Sequence, residues 1–158
     1  ARLGVSGFRV CRWERRWGLE AKPFIDPVEY PSTSVSTSGT HDTEPLASWW
    51  EQLPADERRK VCEVPAIQRR VGGDGERPFN PTVRDALLEA LFASGSNLLL
   101  LPIQDVFGTS ERINEPATVN DSNWTYRLPW PCDHLEDAAD ARERQQALRR
   151  WATAYHRL

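Results

Sequence analysis

The sequence has little cysteine, and what it has is unpaired. Cys11, Cys62 and Cys132 stand far apart and form no Cys-x-x-Cys pair, so no disulfide framework is encoded and the expected compartment is a reducing one, the cytoplasm. Histidine is as scarce. His134 and His156 share no ligand spacing with His41, and a metal site needs three or four ligands, so neither a metal nor another cofactor is expected. No apolar run approaches the roughly 20 residues that cross a bilayer; the longest, Asn97–Ile103, has the length of a strand. No membrane partner is expected. The opening Ala-Arg-Leu-Gly-Val-Ser-Gly lacks the charged and apolar regions of a secretory leader. It also lacks an initial methionine, so the chain is expected to continue something longer. A surplus of positive charge is missing too: the net charge is −3, which argues against a nucleic-acid partner. Arg12, Arg15 and Arg16, and the arginines from Arg142 to Arg150, alternate with acids and read as solvated faces.

What remains is a chain of 158 residues, 39% hydrophobic and 27% charged, long enough for one globular domain spanning residues 1–158. Seven tryptophans are many for this length. Indole faces stack on sugar rings, but large aromatics also simply fill cores, and composition leaves both readings open.

Pattern supplies the elements. Phe8, Val10 and Arg12 alternate as a short strand. Glu14–Pro31 holds prolines without periodicity and reads as an ordered loop. Ser34–Ser38 is a second strand, ending at Gly39-Thr40-His41-Asp42. Thr43 resembles an N-cap for a helix carrying Leu46, Trp49, Trp50 and Leu53. Ala55–Val61 fits a short helix, residues 72–75 a glycine turn, and Val83–Ala93 a helix capped by Thr82. Asn97–Ile103 reads as a strand buried on both faces, ending at Gln104-Asp105. Ser110–Trp130 reads as a long functional loop, and Asp133–Leu158 as an amphipathic helix with Leu135, Ala138, Ala141, Gln145, Leu148, Ala152 and Tyr155 inward. Strands alternating with helices predict a parallel sheet, and three strands are too few for a closed barrel.

Polar clusters after strands are where α/β barrels keep their chemistry. His41-Asp42 and Gln104-Asp105 occupy such positions, with Arg112-Ile113-Asn114 nearby. Taken alone, His41-Asp42 fits a turn in which Asp42 accepts backbone amides ahead of the helix. A serine hydrolase is disfavoured because no Gly-x-Ser-x-Gly elbow occurs.

The motifs resemble a known family. Gly39-Thr40-His41-Asp42-Thr43 with Leu46-Ala47-x-Trp49-Trp50 is similar to the amylomaltases and disproportionating enzymes, which are 4-α-glucanotransferases. Phe8-Arg9-Val10-x-Arg12-Trp13-Glu14 and Tyr30-Pro31 match upstream. Gln104-Asp105-x-x-Gly108, Glu111-Arg112-Ile113-Asn114-x-Pro116 and Asn123-Trp124-x-x-Arg127-Leu128 match downstream. Ala117 departs from the pattern, which has glycine there. The resemblance implies an incomplete (β/α)8 barrel, its last three strands with their helices, in an enzyme that transfers α-1,4-glucan chains between maltodextrins by a retaining double displacement. Such chemistry uses two carboxylates about 5 Å apart. In the family the nucleophilic Asp and the acid/base Glu precede this segment, so the segment alone is expected to be inactive and to need the preceding part of the same barrel. Asp42 corresponds to the third carboxylate, the transition-state stabiliser, and His41 and Asn114 to substrate-binding residues. Gln104 and Asp105 read as structural. The alternative is a non-catalytic sugar- or partner-binding remnant.

Overall fold

The computed structural model describes residues 6–73 and 75–158. The first five residues, read above for a leader, and Asp74 of the glycine turn lie outside the described residues. Among those described, β1 (Gly7–Val10), β2 (Ser34–Thr37) and β3 (Leu98–Leu100) form one parallel sheet in the order β1-β2-β3. The register sets Phe8, Val35 and Leu98 in one row and Val10, Thr37 and Leu100 in another. β2 is shielded by both neighbours and buried along its length.

Six α-helices accompany the sheet among the described residues: α1 (Leu46–Gln52), α2 (Ala55–Cys62), α3 (Pro65–Val71), α4 (Pro81–Phe92), α5 (Ile103–Phe107) and α6 (Ala139–Ala154). The core gathers Leu46, Trp50, Val61, Ile67, Leu87, Leu88 and Trp151, with Leu99 and Leu101 packed against it from β3. On the other face Val10, Val35 and Thr37 are buried, but the residues around them are not. Phe8 is 60% exposed, Leu98 55% and Leu100 57%. The reading of β3 as buried on both faces is therefore corrected: in this chain only its helix-side residues are covered. No described helix is long and apolar enough to cross a membrane.

Several expectations move. Thr43 does not cap α1. Its hydroxyl instead closes a turn with Thr40, accepting from the Thr40 amide at 2.9 Å and donating to the Thr40 carbonyl at 3.0 Å. The first amide of α1, Leu46 N, is taken by Asp105 Oδ1 at 2.7 Å, a cap from 59 residues away that no local pattern signals. α4 starts earlier than expected because Asn80, not Thr82, accepts from the Val83 amide at 3.1 Å, with Pro81 filling the position where a missing N–H costs nothing. α3 and α5 are additional helices, each only a turn or two long, so their apolar residues are too few to show a period. The last helix is shorter than Asp133–Leu158, and residues 132–134 form a separate 3-10 turn.

The arginine clusters are not simply solvated faces. Arg12 is buried, lies over the Trp49 ring at 5.2 Å, and donates to Ser38 O, Glu44 O and Glu44 Oε1. Arg144 is buried on α6 and pairs with Asp85 at 2.7 Å. The inward face of α6 is centred on Ala141, Arg144, Ala147 and Trp151, with the expected Leu148, Ala152 and Tyr155 packed partly buried beside it; Gln145 faces out. Arg157 closes the C-terminal end of α4, donating to the carbonyls of Phe92, Ser94 and Ser96, where unpaired carbonyls favour a cation. The tryptophans divide between both readings: Trp50 and Trp151 fill the core, whereas Trp13, Trp17 and Trp124 are exposed.

Two stability predictions follow from buried charge and backbone strain. Asp105→Ala strands the Leu46 amide and the Ser38 hydroxyl, and should cost about 2–4 kcal/mol in urea melts. Asp105→Asn can keep both contacts. Burial raises the Asp105 carboxyl above its ordinary range, so the folded chain holds that proton at higher pH than the unfolded chain. The cost of ionisation is absent in acid and grows as pH rises through the raised value. The wild type should thus gain stability relative to Asp105→Asn as pH falls; an Ala variant as stable as wild type would remove Asp105 from this role. Ala117 adopts φ +60°, a left-handed conformation that costs a residue with Cβ about 1–2 kcal/mol. Ala117→Gly removes that cost but loosens the unfolded chain. The melting temperature should rise slightly, by the equivalent of at most about 1 kcal/mol; a fall would contradict the strain.

Candidate functional site

The site is built on the turn that leaves β2. Gly39 opens it, and a side chain there would have to occupy space already filled: a Cβ would lie 2.4 Å from Thr43 Oγ1 and 3.2 Å from an Arg12 nitrogen. Close approach, rather than an unusual backbone angle, requires the glycine. The turn is held at both feet. Ser38 donates to Asp105 Oδ2 at 2.5 Å and its carbonyl accepts from Arg12, while Leu46 at the far end donates to Asp105 Oδ1. Between these anchors His41 and Asp42 project at the rim, with side chains 53% and 49% exposed.

A second segment comes down onto this turn. Asn114 donates its side-chain amide to Asp42 Oδ1 at 2.7 Å, and Arg112 donates to the Asp42 carbonyl at 2.9 Å and to the Asn114 carbonyl at 3.2 Å. Asp42 Oδ2 lies 3.3 Å from His41 Nε2. The His41 ring packs on Trp124, with centroids 5.2 Å apart and planes tilted by 39°. Trp124 is itself in the left-handed region, φ +65°, anchored by its amide to Ile113 O at 2.7 Å. Asn123 closes the loop by accepting from the Glu115 amide and donating to Thr118.

The expected residues are therefore brought together: Asp42, His41 and Asn114 meet at one point, at the C-terminal end of the sheet. Asp105 and Gln104 stand beneath them, buried, and Asp105 is structural as expected. Asp42 caps no backbone amide among the described hydrogen bonds, so the capping-turn reading is replaced by the contact with Asn114. Two participants were not singled out in the sequence. Arg112 aligns the two segments, and Trp124 covers His41. Both lie inside matched motifs, but nothing in their spacing indicates a contact with residues some 70 or 80 positions earlier.

A cleft of about 530 Å³ opens beside these groups, lined by Phe8, Thr37, His41, Asp42, Leu100 and Ile113. An apolar floor with polar groups on one wall suits a ligand that is both ring-shaped and hydroxylated. The half-exposed Asp42 carboxylate can accept hydrogen bonds from hydroxyls, and the imidazole and the Asn114 amide offer further partners. Among the described residues no group of three or more His, Cys, Asp or Glu is arranged to hold a metal.

Comparison with known proteins gives a consistent result. The model of glycoside hydrolase family 77, 4-alpha-glucanotransferase, matches residues 1–133. The chain is 30% identical over 130 residues to the 4-alpha-glucanotransferase of Chlamydia caviae, covering 80% of this chain and 24% of that protein. It is 31% identical over 142 residues to the chloroplastic/amyloplastic enzyme of Arabidopsis thaliana, covering 87% of this chain and 22% of the relative. The amylomaltase from Streptococcus agalactiae in complex with acarbose has the same fold over 97% of this chain and 28% of its own, with a TM-score of 0.71 at 23% identity. The amylomaltase from Corynebacterium glutamicum superposes with a TM-score of 0.64 at 17% identity, over 90% of this chain and 25% of its own. The chain spans about a quarter of the length of the curated relatives it matches. With the family model covering most of its length and its motifs converging on one rim, the chain belongs to the 4-alpha-glucanotransferase family.

Proposed function

We propose that the complete protein transfers α-1,4-glucan chains between maltodextrins by a retaining double displacement, and that this chain supplies the last three strands of its (β/α)8 barrel. The observation that carries this is the meeting of Asp42 and Asn114 at 2.7 Å, across 72 residues, at the mouth of an apolar cleft. The sheet supports the barrel reading. Its strands are parallel, Phe8, Leu98 and Leu100 are uncovered, and a groove of about 640 Å³ follows the free edge of β3 beside α6. A partner strand and helix from the preceding part of the barrel would fill both.

In this reading a carboxylate nucleophile and a glutamic acid on preceding strands perform the two displacements. Asp42 does not attack. It accepts hydrogen bonds from two sugar hydroxyls, and its charge favours the ring most when the ring becomes oxocarbenium-like. Asn114 holds one carboxylate oxygen so that the group is already oriented. His41 and Asn114 bind the same sugar. Free thiols at Cys11, Cys62 and Cys132 suit a reducing compartment such as the cytoplasm; the Arabidopsis relative is chloroplastic/amyloplastic.

Two experiments test this. In the complete protein, Asp42→Asn keeps the size and an acceptor for Asn114 but removes the charge. The expected result is a fall in kcat of about 10²–10⁴, little change in KM and an unchanged melt. Near-normal turnover would return Asp42 to a structural role. The 158-residue chain alone should not disproportionate maltotriose, since it lacks the nucleophile; chromatography that shows glucose and longer maltodextrins formed by the pure chain would refute the mechanism.

A further inference from the structure

Gln104 is buried without an evident reason in the packing. It is the second residue of α5, only 2% exposed, and its side-chain oxygen meets no hydrogen-bond donor among the described residues. Its neighbour Asp105 uses both oxygens to hold the fold together. An amide oxygen left unpaired in the interior is costly, and such groups are paired in native proteins, often by water.

Gln104 and His41 both line a cavity of about 10 Å³, whose polar walls also include Thr40, Thr43, Glu44 and Asp105. One water needs a space of about 10–15 Å³ together with polar partners. Gln104 and His41 also both line the larger cleft, so the two residues share both spaces. One ring nitrogen, Nε2, faces Asp42 Oδ2 at 3.3 Å, and one ring face is covered by Trp124. The described hydrogen bonds leave the other ring nitrogen to be settled, and the partner of that second nitrogen fixes an imidazole's tautomer and tilt.

We propose that Gln104 is a positioning residue for His41, acting through one water in this cavity. The water donates one hydrogen to the Gln104 side-chain oxygen and the other to the imidazole nitrogen remote from Asp42. The ring then carries its proton on Nε2, the nitrogen 3.3 Å from Asp42 Oδ2, and the buried Gln104 oxygen is satisfied. His41 is held upright against the cleft before any ligand arrives. This rests on the reading of His41 as a sugar-binding residue.

The test uses the complete protein, maltotriose as substrate, and a double-mutant cycle. Gln104→Met keeps the volume and removes the acceptor. It should raise KM about tenfold, the scale of losing a supporting partner, with kcat and the melting temperature little changed. On a His41→Ala background the same substitution should add nothing. If His41→Ala itself leaves the kinetics intact, the sugar-binding reading of His41 falls and this proposal with it. If His41→Ala is damaging but Gln104→Met has no effect, or the same effect in both backgrounds, only the role of Gln104 is overturned. A high-resolution crystal structure of the wild type decides even if the Met variant does not fold. An ordered water between Gln104 and His41 is expected, and a dry cavity would refute the proposal.

Discussion

A single buried carboxylate holds the functional end of this molecule together. Asp105 is almost fully enclosed, and its two oxygens take the Ser38 hydroxyl and the Leu46 amide. Those groups mark the end of β2 and the start of α1, and Asp105 itself belongs to α5. One side chain thus ties three elements at the point where the rim turn begins and ends. Burial works against the charge and dominates, since the carboxyl is raised despite both hydrogen bonds and the nearby Arg12 cation. A group retained at such a cost is retained for geometry more than for net stability. Arg12 repeats the arrangement from β1, gripping Ser38 O and Glu44 O. The turn between these anchors has fixed ends, and its tip, His41-Asp42, is free to face a ligand.

The remainder of the chain shows the same division between an apolar core and charged ties between helices. Asp85 accepts from both Arg84 and Arg144, joining α4 to α6, while Arg84 reaches the Phe107 carbonyl at the end of α5. Arg157 grips the other end of α4. These contacts orient α4 against α5 and α6 without adding apolar surface, which is already concentrated on α4 itself. The sheet's opposite face has no such support within this chain. Its exposed phenylalanine and leucines are accounted for if a larger barrel continues across them.

What could be read from the sequence was what has a short range. The β-branched and apolar runs located all three strands, the first two within two residues, whereas the third ends at Leu100 rather than Ile103, which already belongs to α5; parallel order followed from the alternation with helices. The polar clusters after β2 and β3 lie together at one end of the sheet, as expected. Long-range polar contacts escaped. Thr43 has the composition of a cap, but Asp105 arrives from 59 positions away and takes the amide first. Arg144 has the look of a surface residue until Asp85 is placed opposite, and its burial widens the α6 face beyond the apolar stripe. Short helices such as α5 carry too few residues for a period to emerge. In the site, Asp42, His41 and Asn114 were visible through their motifs, whereas Arg112 and Trp124 required a three-dimensional neighbour to acquire a role.

The site is consequently an assembly of two pieces with different origins of rigidity. The turn from Gly39 to Pro45 derives its shape from the buried anchors below it, and would keep that shape without the loop. The loop from Glu111 to Thr125 derives its shape from itself: Asn120 and Asn123 satisfy its backbone locally, and Ala117 and Trp124 accept left-handed conformations to close it. Such strain persists only where surrounding contacts over-determine it. Here those contacts are internal to the loop, Trp124 N on Ile113 O and Asn123 on Thr118, while Arg112, Asn114 and the indole of Trp124 dock the loop on the turn. Each piece offers the other an incomplete set of partners. A carboxylate with one oxygen held and the group half-exposed is the product of their docking, and neither segment could present it alone.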